Sequence, residues 1–266
     1  MPDAPPLTYR DTVRILARLQ GLDHPIVLVG GQAVNFWASY YADRVEELRA
    51  GAPYASKDID FEGSHDAVEE CARRLNGEAR LATLDDPGTP NTGIVAFIDD
   101  DHHLRTIDFL LAPAGLNEHD VVTTSIPVTV VAAEGPLTFS VLHPALTLRS
   151  RVYNVAYLPS YDSAHALRQL RAAILCARAY VGEAIEDGDL KRALRANEHA
   201  YKTARYKGGA QVHTRHHIDP FDAVLADPRL PDKFLAERYP RMRADVDRAY
   251  ARCAEAQRRA AAFAAP

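Results

Sequence analysis

Two short stretches carry residues that could do chemistry. Val27-Leu28-Val29-Gly30-Gly31-Gln32 reads as a short buried strand that runs into two glycines and then a helix. Ser56-Lys57-Asp58-Ile59-Asp60-Phe61 reads as a strand carrying two carboxylates with one apolar residue between them. Side chains alternate along a strand, so Asp58 and Asp60 are expected on one face with Cα atoms roughly 6.5–7 Å apart. No Arg stands beside them in sequence, so two like charges repel. Oxygen-only ligation of this kind suits Mg²⁺ or Mn²⁺. The glycines add the complementary part, because they admit a ligand close to the backbone and the helix behind them presents free N–H groups to phosphate. A phosphate cradle beside a metal-binding acidic pair is the equipment of phosphoryl or nucleotidyl transfer. The competing reading, two aspartates capping a turn, leaves unexplained why charges sit inside an apolar strand pattern.

Taken with Arg105-Thr106-Ile107-Asp108-Phe109-Leu110-Leu111, a later apolar strand with one Asp, the order of these motifs resembles the nucleotidyltransferase superfamily with the polymerase-beta-type core. Within it the chain most resembles the AbiEii-like branch of toxin and defence nucleotidyltransferases. The resemblance covers roughly residues 24–155. It implies that Asp58, Asp60 and Asp108 hold two divalent cations and that Asp108 receives the proton of the attacking hydroxyl. It also implies that Gly30 and Gly31 bind the NTP phosphates through the backbone, with Arg149 or Arg151 as a further phosphate contact. The stretch from Gly31 to Asp58 is longer than in the smallest members, and Tyr40 to Ala55 has no assigned role.

The elements that must position these groups follow from periodicity. Apolar residues at 13, 15, 16 and 19 predict a helix over Asp11–Leu19, and Gln32–Tyr41 is a helix with Phe36 and Trp37 facing the core rather than a bound base. Asp66–Leu75 is a short helix capped by Ser64 or Asp66. Leu84–Gly93, rich in Pro and Gly, is a loop. Gly93–Ile98 and Leu104–Leu111 form a hairpin, and the Asp99-Asp100-Asp101 triplet between them is a solvated turn. Ile126–Ala132 and Leu137–Leu142 make a second β pair, and His143-Pro144 opens a helix. Helices follow from Ala164, from Leu190 to Tyr206 with Lys207-Gly208-Gly209 as its stop, and from Tyr239 to Phe263. The expected fold is α+β: a small mixed β-sheet with flanking helices (residues 1–157), then a helical C-terminal region (158–266).

Composition sets bounds. With 266 residues, 47% hydrophobic and 25% charged, the chain can bury a sizeable core. No apolar run approaches the roughly 20 residues of a membrane span, and Met1 to Pro6 lacks the pattern of a secretory signal. Cys71, Cys176 and Cys253 have no metal spacing and read as reduced thiols of a cytoplasmic protein. His213, His216 and His217 have helical ligand spacing, but in an Arg-containing segment with no Cys or carboxylate close by before Asp219 they do not read as a metal site.

Charge is uneven. From Lys191 to His217 seven Lys and Arg face Glu198 alone, a local +6 that leaves −11 on the rest of a chain of net charge −5. Lys191, Arg192, Arg195, Lys202 and Arg205 are therefore candidates to hold an acceptor, with RNA or a phosphorylated partner the leading choice. The combined expectation is a metal-dependent enzyme that moves a nucleoside monophosphate from an NTP donor to RNA or tRNA, in a toxin–antitoxin or defence setting with a cognate antitoxin. Two rivals stand beside it: the same chemistry on a small hydroxyl compound such as an aminoglycoside, and a non-catalytic nucleotide- or partner-binding relative. A basic acceptor cleft favours RNA, an acidic one a cationic antibiotic.

Overall fold

The structure is a computed structural model that describes residues 5–83, 85, 91–133 and 135–264. Most of the expected loop over 84–93 lies outside these residues, as do Met1 to Ala4. In chain order the elements are α1 (Tyr9–Arg18), β1 (Val27–Val29), α2 (Gly30–Tyr41), α3 (Glu46–Ala50), β2 (Ile59–Glu62), α4 (His65–Leu75), β3 (Glu78–Leu81), β4 (Asn91–Ile98) and β5 (Leu104–Leu110). They continue as α5 (Glu118–Thr124), β6 (Ile126–Ala132), β7 (Gly135–Val141), α6 (Pro144–Tyr157), α7 (Ala164–Glu186), α8 (Leu190–Arg205), α9 (Lys207–His216) and α10 (Tyr239–Ala264). This is the expected α+β class, a mixed sheet followed by a helical C-terminal region.

The sheet runs β3-β4-β5-β2-β1-β7-β6. Its centre matters most. β2 pairs antiparallel with β1 and parallel with β5, and in the second pairing Asp60 stands opposite Asp108 and Phe61 opposite Phe109. Register partners in a parallel pair share a face, so one register fixes both sides of the sheet. Ile59, Phe61, Ile107 and Phe109 are fully buried on one side, with the rings of Phe61 and Phe109 5.7 Å apart. Each such side chain contributes about 1.5–3 kcal/mol by leaving water. Asp60 and Asp108 are thereby driven to the other side.

Local chemistry explains most boundaries. Ser64 caps α4 by accepting the Ala67 N–H, and Thr8 and Asp11 close a capping box on α1. Phe36 and Trp37 are core residues, 2% exposed, and the Trp37 indole donates to the Leu142 carbonyl at 2.8 Å. The Asp triplet is a turn whose Asp99 accepts N–H groups from Asp101 and His103 and pairs with Arg105 at 2.7 Å. The three cysteines are free thiols. Among the described residues no helix is long and apolar enough to cross a membrane.

Two expectations fail. The helix from Leu190 does end at Arg205, but its stop is the extended backbone of Tyr206, and Lys207-Gly208-Gly209 opens α9 instead. These glycines serve close packing instead: a Cβ on Gly209 would meet the Ala204 carbonyl oxygen at 2.4 Å. The other departure is at Asp58, which lies in a bend ahead of β2 rather than within the strand. The segment leading to it is tied down by Gln32, fully buried on α2, whose amide donates to the carbonyls of Leu7 and Ser56.

His143 caps α6, accepting the Ala145 N–H on its ring nitrogen and resting edge-on against Tyr180 at 4.5 Å. Burial, then the nearby His199 and Arg192, push its pKa from 6.5 down to about 3. Below pH 6.5 the unfolded chain takes up a proton that the folded one refuses, so this group's effect on stability worsens as pH falls from 6.5 toward 3, by up to about 1.4 kcal/mol per unit. His143→Asn keeps a capping acceptor and removes the titration. Urea melts at pH 7 and pH 5 should show the variant losing about 1–2 kcal/mol less than the parent on acidification; an equal loss would refute the buried neutral imidazole.

Candidate active site

Gly30 begins the site. It joins β1 to α2 at φ +62°, and a Cβ there would lie 1.7 Å from Asp60 Oδ2. Both facts demand glycine, the first by backbone sterics and the second by the nearness of a carboxylate. At the next residue the Gly31 backbone N–H lowers the pKa of the Asp60 carboxylate. The glycine pair therefore receives Asp60 onto the helix start, where a negative charge is favoured. The glycine pair expected to offer its backbone to phosphate has the Asp60 carboxylate lying against it at Gly30. The space beside Gly31 is also filled, by Ser56 Oγ at 2.9 Å and Gln169 Nε2 at 3.0 Å from a Cβ position.

One correction concerns counter-charge. Asp60 is not without an arginine, since the charge of the buried Arg151 lowers its pKa. Arg151 comes from α6, donates to Gln169 Oε1 at 3.3 Å, and stands over the Tyr161 ring at 5.6 Å. Its Nε has no partner. Gln169, on α7, is held in turn by donating to the Tyr54 carbonyl at 3.2 Å. A chain of polar groups thus runs from the segment before β2 through α7 and α6 back to Asp60. Burial pushes the Asp60 carboxyl up, Arg151 and the Gly31 N–H oppose that, and Asp58 adds to it. Asp108 is pushed up to about 6, first by burial and then by Asp60 and Asp58.

The three aspartates are not equivalent. Asp60 and Asp108 share a face by register. Asp58 is exposed and accepts a hydrogen bond from Thr106 Oγ1 at 3.2 Å. Among the described residues no three His, Cys, Asp or Glu side chains are gathered closely enough to hold a cation. The expected three-carboxylate ligand set is therefore not assembled here, and the physical reason is visible: like charges separate, Asp58 toward Thr106 and Asp60 toward Gly31 and Arg151. The donor chemistry nonetheless fits a hard divalent cation, being all oxygen, with Asp60 and Asp108 raising each other's affinity for positive charge.

Arg149 and Arg151 part company. Two positions apart on a helix, they point about 200° from each other. Arg151 faces Asp60, whereas Arg149 is exposed and lines a cavity with Lys202 of α8. On α8 itself Lys191, Arg195, Lys202 and Arg205 are all exposed and fall within an arc of about 80° at 100° per residue. Arg192 lies outside that arc and is bound to Asp187 at 2.6 Å. The expected basic face is real without it.

No family model matches the chain, and no curated protein matches it either. A solved structure of the antibiotic-resistance factor ANT(2'')-Ia is 16% identical over 78% of this chain and 96% of that one, with a TM-score of 0.38. That likeness is too loose to assign an activity.

Sequence reasoning passed over Gln169, Ser56, Thr106 and Tyr161. Gln169 left a trace, a polar residue among the inward-facing Ala166, Leu170 and Ala173 of α7. The others sit on a loop, a half-exposed strand position and a short 3-10 turn, with no pattern to mark them.

Because Arg151 is buried with Asp60 as its opposing charge, the two carboxylates should differ in stability. Asp60→Ala strands the guanidinium and should cost about 1–3 kcal/mol in urea unfolding, while the exposed Asp58→Ala should be nearly neutral. Equal costs would remove Arg151 as the partner of Asp60.

Proposed function

We propose that the chain is a metal-dependent nucleotidyltransferase that transfers a nucleoside monophosphate from an NTP to an acceptor hydroxyl. The observation that carries this reading is the β2–β5 register, which turns Asp60 and Asp108 to one face beside the glycine-led start of α2. Asp60 and Asp108 would hold Mg²⁺ or Mn²⁺, with Asp58 joining after release from Thr106. When bound, such cations neutralise the triphosphate and stabilise the attacking and leaving oxygens.

The chain's own residues supply the rest. Asp108 takes the proton from the acceptor hydroxyl as its oxygen bonds to the α-phosphorus. The bond from that phosphorus to the bridging oxygen breaks, and pyrophosphate leaves. Arg151, anchored by Gln169, keeps positive charge beside the reacting phosphates, and Gly30 lets the backbone lie against Asp60 where any side chain would displace it.

RNA or tRNA is the acceptor we favour, in a toxin–antitoxin or defence setting. The exposed basic face of Lys191, Arg195, Lys202 and Arg205 supports it. One observation speaks for the small-molecule alternative. Glu62 shares the face of Asp60 and lines a cavity of about 650 Å³ with Glu118 and several hydroxyls. Burial, then Glu118, push Glu62 up to about 7. An acidic cleft of that size suits a cationic hydroxyl compound such as an aminoglycoside.

The deciding experiment incubates the protein with each α-labelled NTP and Mg²⁺ or Mn²⁺, offering either total tRNA or an aminoglycoside. Label should pass to RNA, and Asp108→Ala should slow it by roughly 10²–10⁴-fold, the usual range for loss of a general base. Label on the aminoglycoside would select the alternative. No transfer from any NTP to either acceptor would leave a non-catalytic binder.

A further inference from the structure

The face of α6 turned away from Asp60 carries a second constellation. A cavity of about 270 Å³ opens between α6 and α8, lined by Arg149, Tyr153, His199, Lys202 and Tyr206. Three features set it apart from an ordinary surface hollow. Its cations are weakly held: Arg149 is exposed and forms no ion pair among the described residues. Lys202 is 66% exposed, and Glu198, 3.9 Å away, holds Arg238 more closely at 2.8 Å. On a chain of net charge −5, two such cations at the mouth of one cavity leave a local demand for an anion.

The cavity also has ring surface. Tyr206 is 56% exposed, an uncommon position for a large aromatic, and its ring stands open at the edge of the cavity. Tyr153 forms the wall, one side of its ring covered by Gly115, where a Cβ would meet the ring at 2.8 Å. Gly115 has φ +82°, so the loop after β5 is shaped to lie against that ring. The third feature is His199. Burial, then the charges of Lys202 and Arg149 against the opposing carboxylates of Asp120 and Glu198, lower its pKa, leaving a neutral imidazole that can donate or accept a hydrogen bond.

Cations at the rim, an open ring and a neutral polar group inside match the parts of one nucleotide: phosphate, base face and base or sugar edge. The volume lies just under the about 300–1,000 Å³ of small-molecule sites, room for one nucleotide unit and not for a helix of nucleic acid. We propose that this cavity binds a single nucleoside monophosphate unit, its phosphate on Arg149 and Lys202 and its base against Tyr206. The unit comes either from a free nucleotide or from the end of a single RNA strand. This site does not depend on transfer chemistry at Asp60, because occupancy is read as binding alone.

The test is equilibrium binding to the full chain in EDTA, which suppresses metal-dependent donor binding. The probes are the four nucleoside monophosphates, a single-stranded RNA hexamer and inorganic phosphate. Saturable binding of monophosphates identifies the free nucleotide, and binding of the hexamer alone identifies a strand end. In either case Arg149→Ala and Lys202→Ala should each weaken binding at least 10-fold, and for the hexamer each should flatten the log-affinity salt slope by about 0.7. Tyr206→Ala should weaken it comparably while Tyr206→Phe retains most affinity, since a base stacks on the ring and not on the hydroxyl. These side chains are exposed, and melting curves will show that the variants fold. The proposal falls if neither nucleotide probe binds, if the Arg149 and Lys202 variants bind as the parent does, or if inorganic phosphate competes equally and Tyr206→Ala changes nothing.

Discussion

The structure turns on one close contact, the carboxylate of Asp60 lying against the backbone of Gly30. Everything near it follows from letting a charge sit at a strand–helix joint with no Cβ in between. A carboxylate buried in this way needs compensation, and three sources supply it: the Gly31 N–H, the start of α2, and Arg151 across from it. Arg151 is itself buried and needs support, which Gln169 gives from α7. The helical region is therefore fastened to the sheet by the electrostatics of the site as well as by apolar packing.

That fastening bears on how the site is kept together before any ligand arrives. Bringing Asp58, Asp60 and Asp108 to one point without a cation would set three like charges against one another in a partly buried space. The structure avoids this. Asp58 is drawn off by Thr106, Asp60 by Gly31 and Arg151, and Asp108 is left with a raised affinity for a proton. Asp58 and Asp60 thus each have a neighbour of their own, whereas Asp108, among the described residues, has only the two carboxylates beside it.

The central sheet was legible in the sequence because its signals are redundant. Apolar alternation in Arg105–Leu111 and the pairing of Gly93–Ile98 with it required the hairpin, and burial of Phe61 and Phe109 then left only one face for the aspartates. What could not be read were contacts between residues far apart in sequence. Nothing local in Asp58-Ile59-Asp60 announces Arg151, more than ninety positions later, so the acidic pair looked unpaired. Nor does a glycine pair reveal which neighbour it accommodates. Gly30 admits a carboxylate and Gly209 a carbonyl oxygen, and one-letter text treats them alike. Strand β3 was missed for another reason: it is an edge strand with mostly exposed side chains, so no apolar period marks it.

The division of Arg149 from Arg151 shows how a helix can serve two sites with adjacent residues. A turn of about 200° between them sends one guanidinium into the sheet and the other toward α8. The same geometry makes α6 a partition with a buried cation on its inner side and an exposed one on its outer side. Packing on both sides holds it: Val152 and Leu148 are buried, and the Arg215 guanidinium donates to the carbonyls of Val155 and Ala156 near its end. A shift of α6 that moved Arg151 relative to Asp60 would move Arg149 relative to Lys202 as well. Any ligand that bound better to one position of this helix would bias the other side by the same free energy, and by reciprocity the reverse must hold.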